Sequence, residues 1–172
     1  MPEFFDVVNE QDKIIGTASR KDCHTKGLLH RSSVVLIMNA QRHLLLQKRS
    51  MKKDLYRGWW NESVSGHVDH GETYATAAAR ETQEELGIAI PLTQLFKIKK
   101  EWTDGERMDN EFVTVFLGKN DGPFTTNPNK VAFVQFFPLE TIFAMLETEH
   151  FTPATYDIFS EIKKRPELLA KG

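Results

Sequence analysis

The chain contains a single cysteine, Cys23, which excludes an internal disulfide framework and with it the small cross-linked scaffolds. No run approaches the roughly 18 apolar residues that a membrane-crossing helix needs, so no membrane partner is expected. The first residues, MPEFFDVVNE, lack the basic start and apolar core of a secretory leader, and a cytoplasmic location is the expectation. An excess of charge of one sign is also missing: 22 Lys and Arg stand against 24 Asp and Glu. That balance gives a nucleic acid no global field to follow, so none is expected as a partner, and any phosphate chemistry has to be local. Internal repeats and low-complexity linkers are absent. What is there is a chain of 172 residues, 40% hydrophobic and 27% charged, which suits one domain with a full core. The sequence is neutral on oligomeric state, a dimer included.

FFDVV and KIIGTA flank the polar NEQD and predict a hairpin, so residues 1–29 read as a leading segment laid across a core of residues 31–160. SVVLIMN and HLLLQKR, on either side of AQR, read as two buried central strands. A further strand pair is predicted in EFVTVFLG and VAFVQFFP, joined through the turn former NDGPF and ended by Pro138. LETIFAMLETE has helical spacing, and Thr152 followed by Pro153 is an N-cap and first-turn pair for a helix over 152–165. Interleaved strands and helices place the chain in the α/β class.

Between Thr73 and Leu86 alanine, glutamate, glutamine and leucine predominate, and Gly87 stands where a C-terminal cap belongs, so one helix is predicted. At about 100° per residue, Glu81, Glu84 and Glu85 fall in one narrow arc, with Ala75, Ala79, Thr82 and Leu86 nearly opposite. The pattern predicts acids facing out and small or apolar residues facing in. A solvated charged face is the ordinary reading of such an arc, but here it carries two costs. Like charges three or four residues apart repel by about 0.2–0.5 kcal/mol per pair. Glu84 and Glu85 also stand near the helix C-terminus, where the dipole disfavours anions, and no lysine or arginine occurs in the next turn. A bound cation accounts for the cluster better. Hard oxygen ligands favour Mg2+ or Mn2+, and magnesium in turn favours substrate phosphates.

Gly66, Glu72, Arg80, Glu81, Glu84, Glu85, Gly87 and Ile88 match GX5EX7REUXEEXGU, the signature of the Nudix hydrolases, in which U is bulky and aliphatic. Thr82 departs from it, on the face predicted to be inner. The resemblance implies an α/β/α sandwich with a central mixed sheet, and a single Nudix domain over residues 1–172. It implies that Glu81, Glu84 and Glu85 hold Mg2+ or Mn2+, that the Gly66 carbonyl completes the shell, and that Arg80 and Glu72 orient the helix. The reaction implied is cleavage of a diphosphate linkage in a nucleoside diphosphate derivative or similar small molecule. Candidates for the general base are Glu85, Glu106, Asp109 and Glu111. Lys48, Arg49 and Arg57 are candidate phosphate contacts, against the alternative of a solvated strand end and loop. Trp59 and Trp60 are candidate base-stacking residues, against the alternative of core and surface cover. Lys130 stands where related hydrolases often carry glutamate.

LLHRSSVVLIMNAQRHLLLQKRS and GWWNESVSGHVDHGE further resemble the type I isopentenyl-diphosphate isomerases, a branch of the same superfamily. In that branch a metal is held by three histidines and two acids. The matching residues are His30, His67, Asp109 and Glu111, with His24 if one residue is dropped; His43, His70 and His150 have no such match. The residues for isomerisation do not carry over. The isomerase cysteine falls on Ser65, its tryptophan on Ala154, and no tyrosine occurs between Ala75 and Thr155 to supply the third group. The expectation is a hydrolase on an isomerase-like frame. The alternatives are an isopentenyl-diphosphate isomerase or related prenyl-diphosphate enzyme, and a non-catalytic nucleotide-binding module.

Overall fold

The computed structural model describes residues 3–170. In chain order it contains strands β1 (Phe4–Val8) and β2 (Ile14–Ser19), helix α1 (Arg20–Lys26), and strands β3 (His30–Met38), β4 (Leu44–Arg49), β5 (Trp60–Asn61) and β6 (Val64–His67). Helix α2 (Tyr74–Leu86) follows, then strands β7 (Thr93–Asp104), β8 (Arg107–Lys119) and β9 (Val131–Phe137), helices α3 (Leu139–Thr148) and α4 (Pro153–Lys164), and a short 3-10 turn at Pro166–Ala170. No helix among the described residues is long and apolar enough to cross a membrane.

Strand β3 accounts for the layering, because alternate residues of a strand point to opposite faces. Val34, Leu36 and Met38 pack with Val113, Val115 and Leu117 of β8 and with Ile142, Ile158, Phe159 and Ile162 of α3 and α4. Val35 and Ile37 pack with Leu45, Val64 and Phe116 and with Ala78 and Leu86 of α2. A sheet apolar on both faces needs cover on both, and the helices provide it. This is an α/β sandwich around a mixed sheet: β3 and β8 run parallel, and every other pair is antiparallel.

The sheet order is β5-β4-β3-β8-β7, with β6 added to β3 and β9 to β4. Strands β3 and β4 meet only at Met38 and Leu44. Beyond that point β3 turns to β6 while β4 turns to β5 and β9, and the sheet splits. The leading hairpin β1–β2 is pinned to the body through Asp12 in its turn, which accepts from Arg31 Nε at 2.6 Å and Tyr74 OH at 2.9 Å and pairs with Lys97.

Four features differ from the sequence expectation. EFVTVFLG and VAFVQFFP do not pair with each other: β8 lies between β3 and β7, and β9 lies on β4. The strand β7 that takes the free edge of β8 is rich in lysine, which masked it. Helix α1 is short, and its stops are local: the Ser19 hydroxyl accepts from Asp22 N and Gly27 caps with φ 62. In α2 the predicted facing holds for Glu84, which is exposed, and for Leu86, which is buried, but fails elsewhere: Ala75 and Ala79 are exposed while Glu81 and Glu85 are 7% and 2% exposed. Thr82 is buried as predicted, and its hydroxyl donates to the Ala78 carbonyl at 2.7 Å, so the departure from a bulky aliphatic leaves no unpaired group. Thr152 does precede α4, but its hydroxyl donates to Asn61 Oδ1 at 2.6 Å instead of capping the helix.

Candidate functional site

A cavity of about 410 Å³ opens beside the split in the sheet. Glu81, Glu84 and Glu85 line it from α2, Ser65, Gly66 and His67 from β6, and Asp109 and Glu111 from β8. Glu81 and Glu85 face inward because the split offers them polar partners, while Glu84 stays exposed at the cavity rim. Glu85 Oε2 accepts from Gln47 Nε2 on β4 at 2.9 Å, and the Gly66 backbone of β6 lies against the Glu81 carboxyl. Burial, reinforced by the charge of Glu81, pushes the Glu85 carboxyl up to about 7.

Arg80 fastens this arrangement. Its Nε and Nη2 fork onto the two Glu72 oxygens at 2.8 Å each, Nη1 donates to Glu81 Oε1 at 2.7 Å, and Nη2 also donates to the His67 carbonyl at 3.1 Å. The planar fork suits bidentate pairing with a carboxylate. A second cation, absent from the sequence reading as a partner, comes from the turn that precedes β9. Lys130 Nζ donates to Glu81 Oε2 at 2.8 Å and Glu84 Oε2 at 2.7 Å. Despite burial, Glu81 and Glu84 hold the Lys130 ammonium above its ordinary value, and Glu84 is held below the usual carboxylate range by the same contact. A positive charge therefore already sits between two of the three carboxylates, so the donor set fits a cation.

The Gly66 contact has a direct consequence. A Cβ at this position would overlap the Glu81 carboxyl, and overpacking of this kind costs about 1–3 kcal/mol. Gly66→Ala should lower the urea midpoint accordingly and cut turnover at least tenfold; an unchanged midpoint with full activity would mean that the carboxyl moves freely.

At the other end of the cavity the imidazoles of His24, His30 and His67 bring one nitrogen each to within 4.8 Å of one another. Glu111 Oε1 lies 3.4 Å from His30 Nε2 and 3.3 Å from His67 Nε2, and Asp109 Oδ1 lies 2.5 Å from His24 Nδ1. His24 Nδ1 and His30 Nε2 are buried and make no aligned hydrogen bond among the described residues. An unaligned His30 Nε2 and a His24 Nδ1 held only against Asp109 put imidazole and carboxylate donors together, a set that fits a divalent transition metal. Burial holds His67 below its ordinary value, towards the neutral form that ligates metal, while His30 and His67 outweigh burial and hold Glu111 well below the usual carboxylate range. Strand register produces the cluster: His30 pairs with Glu111 and Ser32 with His67. Phe5 of the leading hairpin stacks on His67 at 4.5 Å and on His30 at 5.4 Å, closing the outer side.

The candidate phosphate contacts divide. Arg49 lines the cavity, but Lys48 lies on the other face of β4, over the Trp60 ring and 3.9 Å from Glu149, and Arg57 is exposed and donates to the Lys53 carbonyl. Lys53 and Arg107, which the sequence reading passed over, line the cavity. Burial pulls both Arg49 and Lys53 below their ordinary values. Neither Trp59, stacked on His150, nor Trp60, in the core, lines the cavity; Trp102 and Tyr56 do. Glu106 is exposed on the β7–β8 turn, outside the cavity. Ser65 and Ala154 both line it, and Ser65 Oγ accepts from Asn61 Nδ2 at 2.8 Å.

A mixed sheet between helices, with a glutamate-bearing helix reaching a polar cavity at a split in the sheet, defines an α/β sandwich with an acid-lined cavity. The NUDIX domain family matches residues 28–157, and the chain belongs to that family. It is 35% identical over 123 residues to an isopentenyl-diphosphate Delta-isomerase of Serratia proteamaculans, covering 71% of this chain and 69% of that protein. Nudix hydrolase 3 of Arabidopsis thaliana is 32% identical over 174 residues, covering 94% of this chain but 22% of the plant protein. The fold is shared with DR0079 from Deinococcus radiodurans, at a TM-score of 0.78 and 24% identity over 94% of this chain and 98% of that one.

Proposed function

We propose that the chain is a divalent-metal-dependent hydrolase of a diphosphate linkage in a small molecule, working as one unit over residues 1–172. The observation that carries this reading is the meeting, in one cavity, of Glu81, Glu84 and Glu85 with Arg49, Lys53 and Arg107. Arg49 and Lys53 are cations held below their ordinary values by burial, so an anion is the ligand that relieves them. Mg2+ or Mn2+ held by the three glutamates and the Gly66 carbonyl would withdraw charge from a diphosphate and acidify a water. The remaining work falls to the chain itself. Arg49, Lys53 and Arg107 bind and orient phosphate oxygens. Glu85 combines a place in the cavity with a carboxyl raised to about 7, which suits a group that takes a proton near neutral pH. Arg80 and Glu72 hold helix and loop in register, and Arg80 ties them to β6 through the His67 carbonyl.

A second reading is favoured by the cluster of His24, His30, His67, Asp109 and Glu111, which fits the metal site of the isomerases that the chain resembles. An isomerase additionally needs a proton donor and an aromatic face for a cationic intermediate. Ser65 is too weak an acid to stand in for a thiol, and Ala154 has no ring, although Trp102 and Tyr56 bring aromatic surface into the cavity. The two readings part in one experiment. Purified protein with Mg2+ is incubated with nucleoside diphosphates, nucleotide sugars and isopentenyl diphosphate, and phosphorus and proton NMR are recorded on the same samples. The expected result is release of phosphate or a nucleoside monophosphate from at least one substrate, with no dimethylallyl diphosphate. Isomer formed at an enzymatic rate with every anhydride uncut would replace the hydrolase reading, and no turnover of any substrate would favour a binding module.

A further inference from the structure

Lys130 lines the cavity from a turn whose backbone is pinned on two sides. At the C-terminal end of α2, Asn127 N donates to the Glu85 carbonyl at 3.1 Å and Thr125 N to the Leu86 carbonyl at 3.0 Å. Just beyond β4, Ser50 N donates to the Lys130 carbonyl at 3.1 Å and Ser50 Oγ to the Pro128 carbonyl at 2.9 Å. From this anchorage the ammonium reaches Glu81 Oε2 and Glu84 Oε2, on two of the acids that the reading above gives to a divalent ion. An ammonium and a divalent ion drawn to the same pair of carboxylates repel each other more strongly the closer they come. Lys130 therefore has to release the acids when they take an ion, yet its pinned backbone keeps the freed ammonium beside the cavity. A lysine head, a compact point charge with three donors on a flexible stem, suits such a change of partner. With the acids of α2 taken, the anion within its reach is the one that the cavity binds.

We propose that Lys130 is a substrate-binding residue with two partners in succession: Glu81 and Glu84 while those acids hold no metal, and a phosphate oxygen of the substrate once they do. This rests on the diphosphate reading above and adds to that site a phosphate contact that becomes available only with the metal. Arg49 is held differently: it gives Nε and Nη2 to the Leu55 carbonyl at 3.3 and 3.2 Å, so its place does not wait for an ion. Through Lys130 the two ligands are coupled. Whichever binds first lowers the cost of moving the ammonium for the other, and the effect is reciprocal. One side chain thus opposes the metal and favours the diphosphate, so its removal has to shift the two affinities in opposite directions. A lysine that merely braces the turn would weaken both on removal, and one that merely competes with metal would leave the diphosphate untouched.

The test is a pair of titrations on the full chain: Mn2+ alone, followed by electron paramagnetic resonance of the free ion, and methylenediphosphonate in saturating Mn2+, followed by calorimetry. Lys130→Met should bind Mn2+ at least tenfold more tightly than the wild type and methylenediphosphonate at least tenfold more weakly, the scale expected for bonds between charged groups. Lys130→Arg, which keeps the charge, should stay within about threefold of the wild type in both titrations. Lys130→Gln takes the place of the methionine variant should that one not fold. Methylenediphosphonate affinity that survives loss of the ammonium overturns the second partner, and Mn2+ affinity that fails to rise overturns the first. Failure of the underlying reading looks different. Mn2+ binding that Glu84→Gln leaves intact would put the ion away from the acids of α2, and methylenediphosphonate that does not bind the wild type would remove the diphosphate; either result overturns that reading and this inference with it.

Discussion

Glu85→Gln should lower turnover on the order of 10² to 10⁴-fold and at the same time raise the melting temperature of the metal-free protein at pH 8. The rate falls because the variant loses both a charge in the cavity and a carboxyl near 7. The gain in stability follows from linkage. A carboxyl raised from its ordinary value near 4.5 to about 7 makes the folded state the tighter proton binder between those values. Stability therefore declines as pH rises through that window and stays low above it, by roughly 3 kcal/mol at most. The substituted amide carries no such charge, and the Gln47 amide that donates to Glu85 Oε2 could donate equally to the new amide oxygen. The two proteins should melt together near pH 4.5 and diverge towards pH 8, by roughly 2–4 °C per kcal/mol for a chain of this size. Melting curves in EDTA across that range, with steady-state rates alongside, check both halves. A lower melting temperature for the variant at pH 8 would make Glu85 a structural residue, and near-normal activity would remove it from the chemistry.

Arg80→Ala should lose stability and rate together. It removes the fork to Glu72, the contact to Glu81 and the bond to the His67 carbonyl, and strands two carboxylates that are largely shielded from water. Hydrogen bonds to charged groups are worth about 1.5–3 kcal/mol. A loss of roughly 2–3 kcal/mol follows, or about 5–10 °C in melting temperature. Turnover should drop more than tenfold, since the loop carrying Glu72, the helix carrying the glutamates and the strand carrying His67 lose their common tie. Calorimetry paired with a Mn2+ binding titration separates the roles: metal affinity that collapses at an unchanged melting temperature would contradict an orienting function.

The helix over Thr73–Leu86 and the cap at Gly87 were legible because they rest on local propensities, and strands β3 and β4 because their apolar runs are uninterrupted. The direction in which the helix faces was not. A helical wheel assigns acids to solvent, but Glu81 and Glu85 turn inward because β4 supplies Gln47 and the distant Lys130 supplies an ammonium, partners that no spacing within the helix encodes. Lys48 and Arg49 are adjacent in sequence and both cationic, yet the strand's alternation sends only Arg49 to the cavity. Strand β7 was hidden by its lysines, Lys97, Lys99 and Lys100, which pair with Asp12, Glu10 and Asp157 across the surface.

Small metal domains whose ligands repel one another stay unfolded until an ion arrives. The bridge from Lys130 to Glu81 and Glu84 relieves such repulsion from within, because the polypeptide brings its own counter-charge from a residue 46 positions downstream of Glu84. An ion binding at that place would have to exchange one positive charge for another, so its free concentration, rather than the act of folding, would set how much of the protein carries it.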